Sequence, residues 1–140
     1  MGGRFDHLTV ADLFAGSGAL GLETLSRGAE HVTFVERADS SVKVIRSNIS
    51  LVGAGSRSTV VARDALKFAT DLGPHSFDLV LADPPYGQGL AAALLEHFSI
   101  TPFAFELWVE HRSDEPVPEL PGLRQRRYGD TTLSILESDS

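Results

Sequence analysis

Cysteine is absent from all 140 residues. That excludes a disulfide framework, a thiolate metal site and a cysteine nucleophile. No apolar run approaches the ~18 residues that a bilayer-spanning helix needs. The opening Met-Gly-Gly-Arg-Phe-Asp lacks the apolar stretch of a secretory leader, so a cytosolic, membrane-free protein is expected. Positive charge is also scarce: 12 Lys and Arg face 19 Asp and Glu, a net charge of −7 with His neutral. A self-sufficient nucleic-acid binder is usually basic, so this balance argues mildly against one. The deficit is uneven. Residues 64–119 hold ten acidic and two basic side chains, whereas residues 4–63 hold six and seven. An acidic run of this kind is most simply a solvated face. His7, His31, His75, His97 and His111 lack metal-ligand spacing; they read as surface or boundary residues, and no metal is expected.

What is present is an ordinary globular composition of a length that suits one domain, residues 1–140. Short apolar runs alternate with helical periods. Strands are expected at Leu8–Phe14, His31–Glu36, Thr59–Ala62, Phe77–Ala82 and Ala104–Glu110. Between them the pattern predicts helices from a Ser17 cap through Arg27, and from an Asp39 or Ser40 cap with Val42, Ile45, Ile49 and Val52 on one face. A short helix should run from Asp64 to Thr70, and another over Gly89–Phe98. Prolines 116, 118 and 121 forbid a regular helix after the fifth strand. Two final strands, near Leu123–Tyr128 and Thr131–Leu136, meet at Gly129-Asp130 as a hairpin. Repeated βα units imply an α/β fold: a mostly parallel sheet of seven strands, helices on both faces, with an antiparallel hairpin at its C-terminal end.

Gly16-Ser17-Gly18-Ala19-Leu20-Gly21 fits G-x-G-x-x-G between a strand and a helix. Glycines there let the backbone turn tightly and approach a ligand, although a plain strand–helix turn would also explain them. Glu36, 15 residues after Gly21 and at the end of the second strand, is placed to accept ribose hydroxyls, which suits an adenosine-containing cofactor. The same loop fits a nicotinamide dinucleotide. Asp12, four residues before Gly16, argues against that: a carboxylate so close disfavours a pyrophosphate but suits a ligand carrying an amino group and a sulfonium. Asp83-Pro84-Pro85-Tyr86 follows the fourth strand, at the sheet end where open α/β folds bind ligands.

Together D-L-F-A-G-S-G-A-L-G at 12–21 and D-P-P-Y at 83–86 resemble the class I S-adenosylmethionine-dependent methyltransferases, with their Rossmann-like sheet. A-G-S-G-A-L-G-L-E at 15–23, L-S-R-G-A at 25–29, F-V-E at 34–36, L-A-D-P-P-Y at 81–86 and W-V-E at 108–110 are similar to the RsmD family, guanine-N2 methyltransferases of 16S ribosomal RNA. The likeness runs from about residue 10 to residue 136. It implies S-adenosylmethionine as cofactor. Gly16 and Gly18 would form the loop beneath the methionine moiety, with Asp12 near its amino group and Glu36 on the ribose. Asp64 would accept from the adenine amine beside the Ala65 N–H, although a helix N-cap explains Asp64 equally well. Phe14 and Arg37 complete the expected cofactor set. The partner implied is 16S ribosomal RNA in the small subunit or its assembly intermediate, met by a monomer. The family also implies a basic segment with an Arg-Pro-Thr stretch before the first strand. This chain begins about eight residues before that strand, so the expectation is a C-terminal catalytic domain with little activity by itself.

D-P-P-Y is the expected catalytic turn. Asp83 and the Pro84 carbonyl can accept the N–H groups of an exocyclic amine, Pro84 and Pro85 stiffen the loop, and Tyr86 can stack on a base rotated from its stem. The turn does not separate guanine N2 from adenine N6. An adenine-N6 DNA methyltransferase is therefore the first rival, though it usually carries a target-recognition domain. A nicotinamide-dependent oxidoreductase is the second, and a catalytically inert binding module the third. Arg124, Arg126 and Arg127 are the one basic cluster, more simply solvated than bound to phosphate. Trp108 is expected in the core, while Glu106 and Glu110 face either cofactor or solvent.

Overall fold

The computed structural model describes residues 5–138, so the first four residues of the leader reading lie outside it. The chain runs β1 (Thr9–Leu13), α1 (Ala19–Ser26), β2 (His31–Val35), α2 (Asp39–Leu51), β3 (Ser58–Val61), α3 (Ala65–Thr70), β4 (Phe77–Ala82), α4 (Leu90–Ile100), β5 (Ala104–Arg112), β6 (Arg124–Tyr128) and β7 (Thr131–Glu137). One sheet joins all seven strands in the order β3-β2-β1-β4-β5-β7-β6. The first five are parallel, and β7 pairs antiparallel with both β5 and β6. This is the expected class I architecture. Gly129, at φ 61°, and Asp130 form the two-residue turn of the hairpin.

Alternation along the strands builds two cores. Val10, Val32, Phe34, Leu79 and Leu81 face α1 and α2, whose Leu25, Ile45 and Ile49 cover them. Ala11, Leu13, Val80, Leu107 and Val109 face the other way, against α3 and α4. Both faces of the parallel strands are therefore largely apolar, which is why β4 is apolar from Leu79 to Ala82; Asp78, near its start, accepts from Thr9 N at 2.9 Å.

Several local expectations are corrected. Gly18, not Ser17, is the N-cap of α1, because its φ of 82° suits a residue without a Cβ; the Ser17 hydroxyl accepts from Ala19 N at 3.4 Å. Ala38 precedes the first residue of α2, so neither Asp39 nor Ser40 is its cap. Val52 ends that helix and is 64% exposed, off the buried face of Val42, Ile45 and Ile49. The fifth strand extends to Arg112 because β7 continues the pairing, with Arg112 opposite Thr131. His111 is buried, bonded through Nε2 to the Ser134 hydroxyl at 2.7 Å, rather than lying at the surface. Trp108 is only half-buried, edge-on to Phe5 at 6.2 Å between ring centres.

Candidate functional site

The strand order reverses between β1 and β4, and the ends of those strands with the end of β2 and the start of α3 enclose a cleft of about 360 Å³. Seven expected residues line it: Phe14, Glu36, Arg37, Asp64, Ala65, Asp83 and Pro85. Gln88 and Leu90 join them from the turn that leads into α4. Gly16, Gly18, Asp12, Pro84 and Tyr86 are not part of this wall.

Glu36 is fixed before any ligand arrives. Its Oε1 accepts from Gly16 N at 2.9 Å, and its Oε2 from Arg37 N and Ala38 N at 3.1 Å each. Three amides take three of the roughly four acceptor positions of a carboxylate. That leaves an acceptor position for a ribose hydroxyl. The same bonds tie the glycine loop to the end of β2. Phe14 enters the loop at φ 58°, a left-handed conformation uncommon for an aromatic residue. Asp64 is the N-cap of α3, its Oδ1 accepting from Leu66 N at 3.3 Å, and it also lines the cleft. Ala65, the first residue of α3, carries one of the N–H groups that a helix start leaves without an intrahelical partner.

Asp12 does not line this cleft. It is 2% exposed, and its Oδ2 accepts from Gly21 N at 3.0 Å inside the first turn of α1. It faces that helix because alternation along β1 puts it on the same side as Val10. Gly21 is required here, since a Cβ would run into the Phe34 ring. Burial above all pushes the Asp12 pKa up to about 7; the Gly21 bond lowers it, while Asp83 and Glu36 raise it further. Asp83 is exposed at the rim, and partial desolvation there also raises its pKa. Glu110 stands one step beyond the last β4–β5 pair, Ala82 with Val109; its pKa is raised by burial and then by Asp83. The carboxylates Asp12, Glu36 and Asp83 thus share one negative field.

At the rim, Pro84 is buried and Pro85 exposed. Tyr86 is 56% exposed, with the Arg112 guanidinium 5.0 Å from its ring centre. Gln88, Leu90 and Arg112 were not singled out from sequence. For Arg112 a signal existed, as one of the two cations among the acidic residues 64–119. Among the described residues there is no metal-binding group of three His, Asp or Glu, and no helix long and apolar enough to cross a membrane.

The donor set fits S-adenosylmethionine better than a dinucleotide. The negative field favours a cation, and Asp12 already fills the anion position at the start of α1 that a pyrophosphate would need. Glu36 suits a ribose hydroxyl, and Asp64 with the Ala65 N–H suits an adenine edge.

The family model described as Conserved hypothetical protein 95 matches residues 1–137. A Bacillus subtilis protein named as an rRNA methyltransferase, YlbH, is 33% identical over 145 residues, covering 96% of this chain and 78% of its own length. Ribosomal RNA small subunit methyltransferase D of Haemophilus influenzae is 35% identical over 113 residues, covering 76% of this chain; the match spans 58% of that relative's length. A solved structure of a conserved hypothetical protein from Streptococcus pyogenes superposes with a TM-score of 0.82 at 28% identity, covering 96% of this chain and 88% of that one. The fold, the cleft and these relatives agree: the chain belongs to the Conserved hypothetical protein 95 family, that of the RsmD methyltransferases.

Proposed function

We propose that this S-adenosylmethionine-dependent ribosomal RNA methyltransferase acts on the exocyclic N2 amine of a guanine in 16S RNA, within the small subunit or its assembly intermediate. The reading extends to a monomer working in the cytosol. The observation that carries it is the carboxylate-lined cleft with Asp83 and Pro85 on its wall and Tyr86 exposed beside it. The names of the relatives support a ribosomal RNA substrate.

Bound S-adenosylmethionine supplies an electrophilic methyl on a sulfonium. The chain's own task is to present a poor nucleophile, an amine conjugated to a purine ring, with its lone pair toward that methyl. Asp83 and the Pro84 carbonyl accept the amine's N–H groups. The two prolines hold φ near −65°, so these acceptors need little rearrangement. Partial desolvation raises the affinity of Asp83 for a proton, which suits it to take the one that leaves once the nitrogen has become cationic. Tyr86 offers an open ring face to a base taken out of its stack. Glu36, Asp64, Ala65, Phe14 and Arg37 hold the cofactor, and Asp12 acts through the loop as a positioning residue.

The test is transfer of a tritiated methyl group to small subunits that lack the modification, followed by nucleoside analysis. N2-methylguanosine is expected. N6-methyladenosine would move the chain to the rival amine chemistry. Label that appears on another RNA, or on another base of 16S RNA, would overturn the substrate.

A further inference from the structure

We propose that one face of the outer sheet edge, carrying Arg112, Arg124, Arg126 and Tyr128, binds the RNA strand that flanks the target nucleotide, and that the neighbouring Arg127 takes no part. The inference rests on the reading of the chain as an RNA methyltransferase and says which surface would hold the strand.

Register separates the three clustered arginines. Arg124 lies opposite Ile135, Arg126 opposite Leu133 and Tyr128 opposite Thr131. Across β7, those residues pair with Trp108, Glu110 and Arg112 of β5. Three cross-strand rows thus run from β5 to β6 on the side of the sheet that carries Trp108 and α1. Arg127 and Gln125 fall on the other side, where they share a pocket with His111 and Thr132.

This face continues the catalytic rim. Arg112, which ends one row, sits over Tyr86 of the D-P-P-Y turn. Glu110, in the middle row, is the neighbour of Asp83. From β4 to β6 is three strand spacings, about 15 Å, the reach of a short run of nucleotides. All five residues of β6 are exposed, and among the described residues no helix covers this part of the face.

The charges there are available. Arg112 and Arg124 pair with Asp114 and Glu137 at 3.4 and 3.6 Å, all four side chains more than half exposed. Such surface pairs are weak and exchange readily for phosphate. Arg126 has no ion pair among the described residues and donates to the Tyr128 hydroxyl at 3.3 Å. In a chain of net charge −7, three arginines and two exposed tyrosines along one track favour a polyanion with stackable bases.

Arg126→Glu and Arg127→Glu make a matched test, since they change charge equally at adjacent positions on opposite faces. Binding of purified 16S RNA is measured by fluorescence anisotropy across a salt series, with S-adenosylhomocysteine calorimetry to verify the fold and Arg126→Gln as a milder variant. Arg126→Glu should weaken RNA binding about three- to tenfold and lower the salt slope by about one, with Arg126→Gln intermediate and Arg127→Glu near wild type. Equal losses from both reversals, no loss from Arg126→Glu, or absence of RNA binding by the wild type would overturn the face. Repeated with assembled small subunits, the same order of the three variants is expected, and equal losses from Arg126→Glu and Arg127→Glu there would also overturn the face. Labelling that fails while this pattern of RNA binding persists would overturn the methylation reading alone.

Discussion

The Oδ2 atom of Asp12 accepts a 3.0 Å hydrogen bond from the backbone N–H of Gly21, so a strand carboxylate sits at the positive end of α1. The helix has no acidic residue of its own in its first turn. Asp12 supplies that charge from nine positions upstream, and burial makes it costly.

A stability measurement follows from that cost. The Asp12 pKa rises from 3.8 to about 7 on folding, so the folded chain prefers the protonated acid. The stability this contributes is full below pH 3.8 and is lost as pH rises through 7. Asp12→Asn keeps an acceptor for Gly21 and removes the charge. It should raise Tm at pH 8, by up to roughly 4 kcal/mol in stability, with the gain shrinking toward pH 4. A gain that does not change between those pH values would mean that Asp12 does not titrate in this range.

Glu36 carries a different prediction. Its carboxylate serves both the loop and the ligand, so Glu36→Ala should weaken S-adenosylhomocysteine by ~1.5–3 kcal/mol, the range for a hydrogen bond to a charged group. Glu36→Gln should do little better, because its amide nitrogen would turn a donor toward amides that now donate to the carboxylate. Calorimetry on both variants decides it; unchanged affinity in a folded Glu36→Ala removes the residue from the site.

These residues differ in how far the sequence revealed them. β4 was legible because its buried part, Leu79–Ala82, is an apolar run, here bounded by Asp78 and Asp83. Glu36 was legible because it lies at the end of a strand, where few other destinations exist. The destination of Asp12 was not. A carboxylate within a strand can turn to either face, and only the packing of Gly21 on Phe34 shows that α1 takes it. Ser17 failed as a cap for a related reason: two positive-φ glycines around it shift the helix start by one residue. Arg112 and Arg126 acquire a common face only through the β5–β7–β6 register, which no local pattern encodes.

For Asp83, turnover and binding should separate. Asp83→Ala should leave S-adenosylhomocysteine affinity near wild type and reduce kcat at least ~100-fold, since its acceptor acts on the target amine. Because partial desolvation raises its pKa, kcat should climb with pH through a midpoint above the usual carboxylate range. Asp83→Asn should flatten that acid limb. Loss of cofactor affinity with normal turnover at saturation would contradict the assigned role.

The final prediction concerns Tyr86, which is 56% exposed and outside the cofactor cleft. Its contribution should therefore appear in RNA recognition and not in cofactor binding. Stacking on a base is worth about 1–3 kcal/mol by alanine substitution, so Tyr86→Ala should raise KM for RNA about 5- to 150-fold. Tyr86→Phe keeps the ring and its contact with Arg112, and should stay near wild type. Arg112→Ala removes the cation over the ring, an exposed contact worth about 0.5–1 kcal/mol, together with one phosphate contact of the proposed strand-binding face, and should have an effect smaller than Tyr86→Ala and larger than Tyr86→Phe. The order Tyr86→Ala, Arg112→Ala, Tyr86→Phe in loss of RNA affinity identifies a stacking platform. Equal losses from the alanine and phenylalanine variants would assign the function of Tyr86 to its hydroxyl instead.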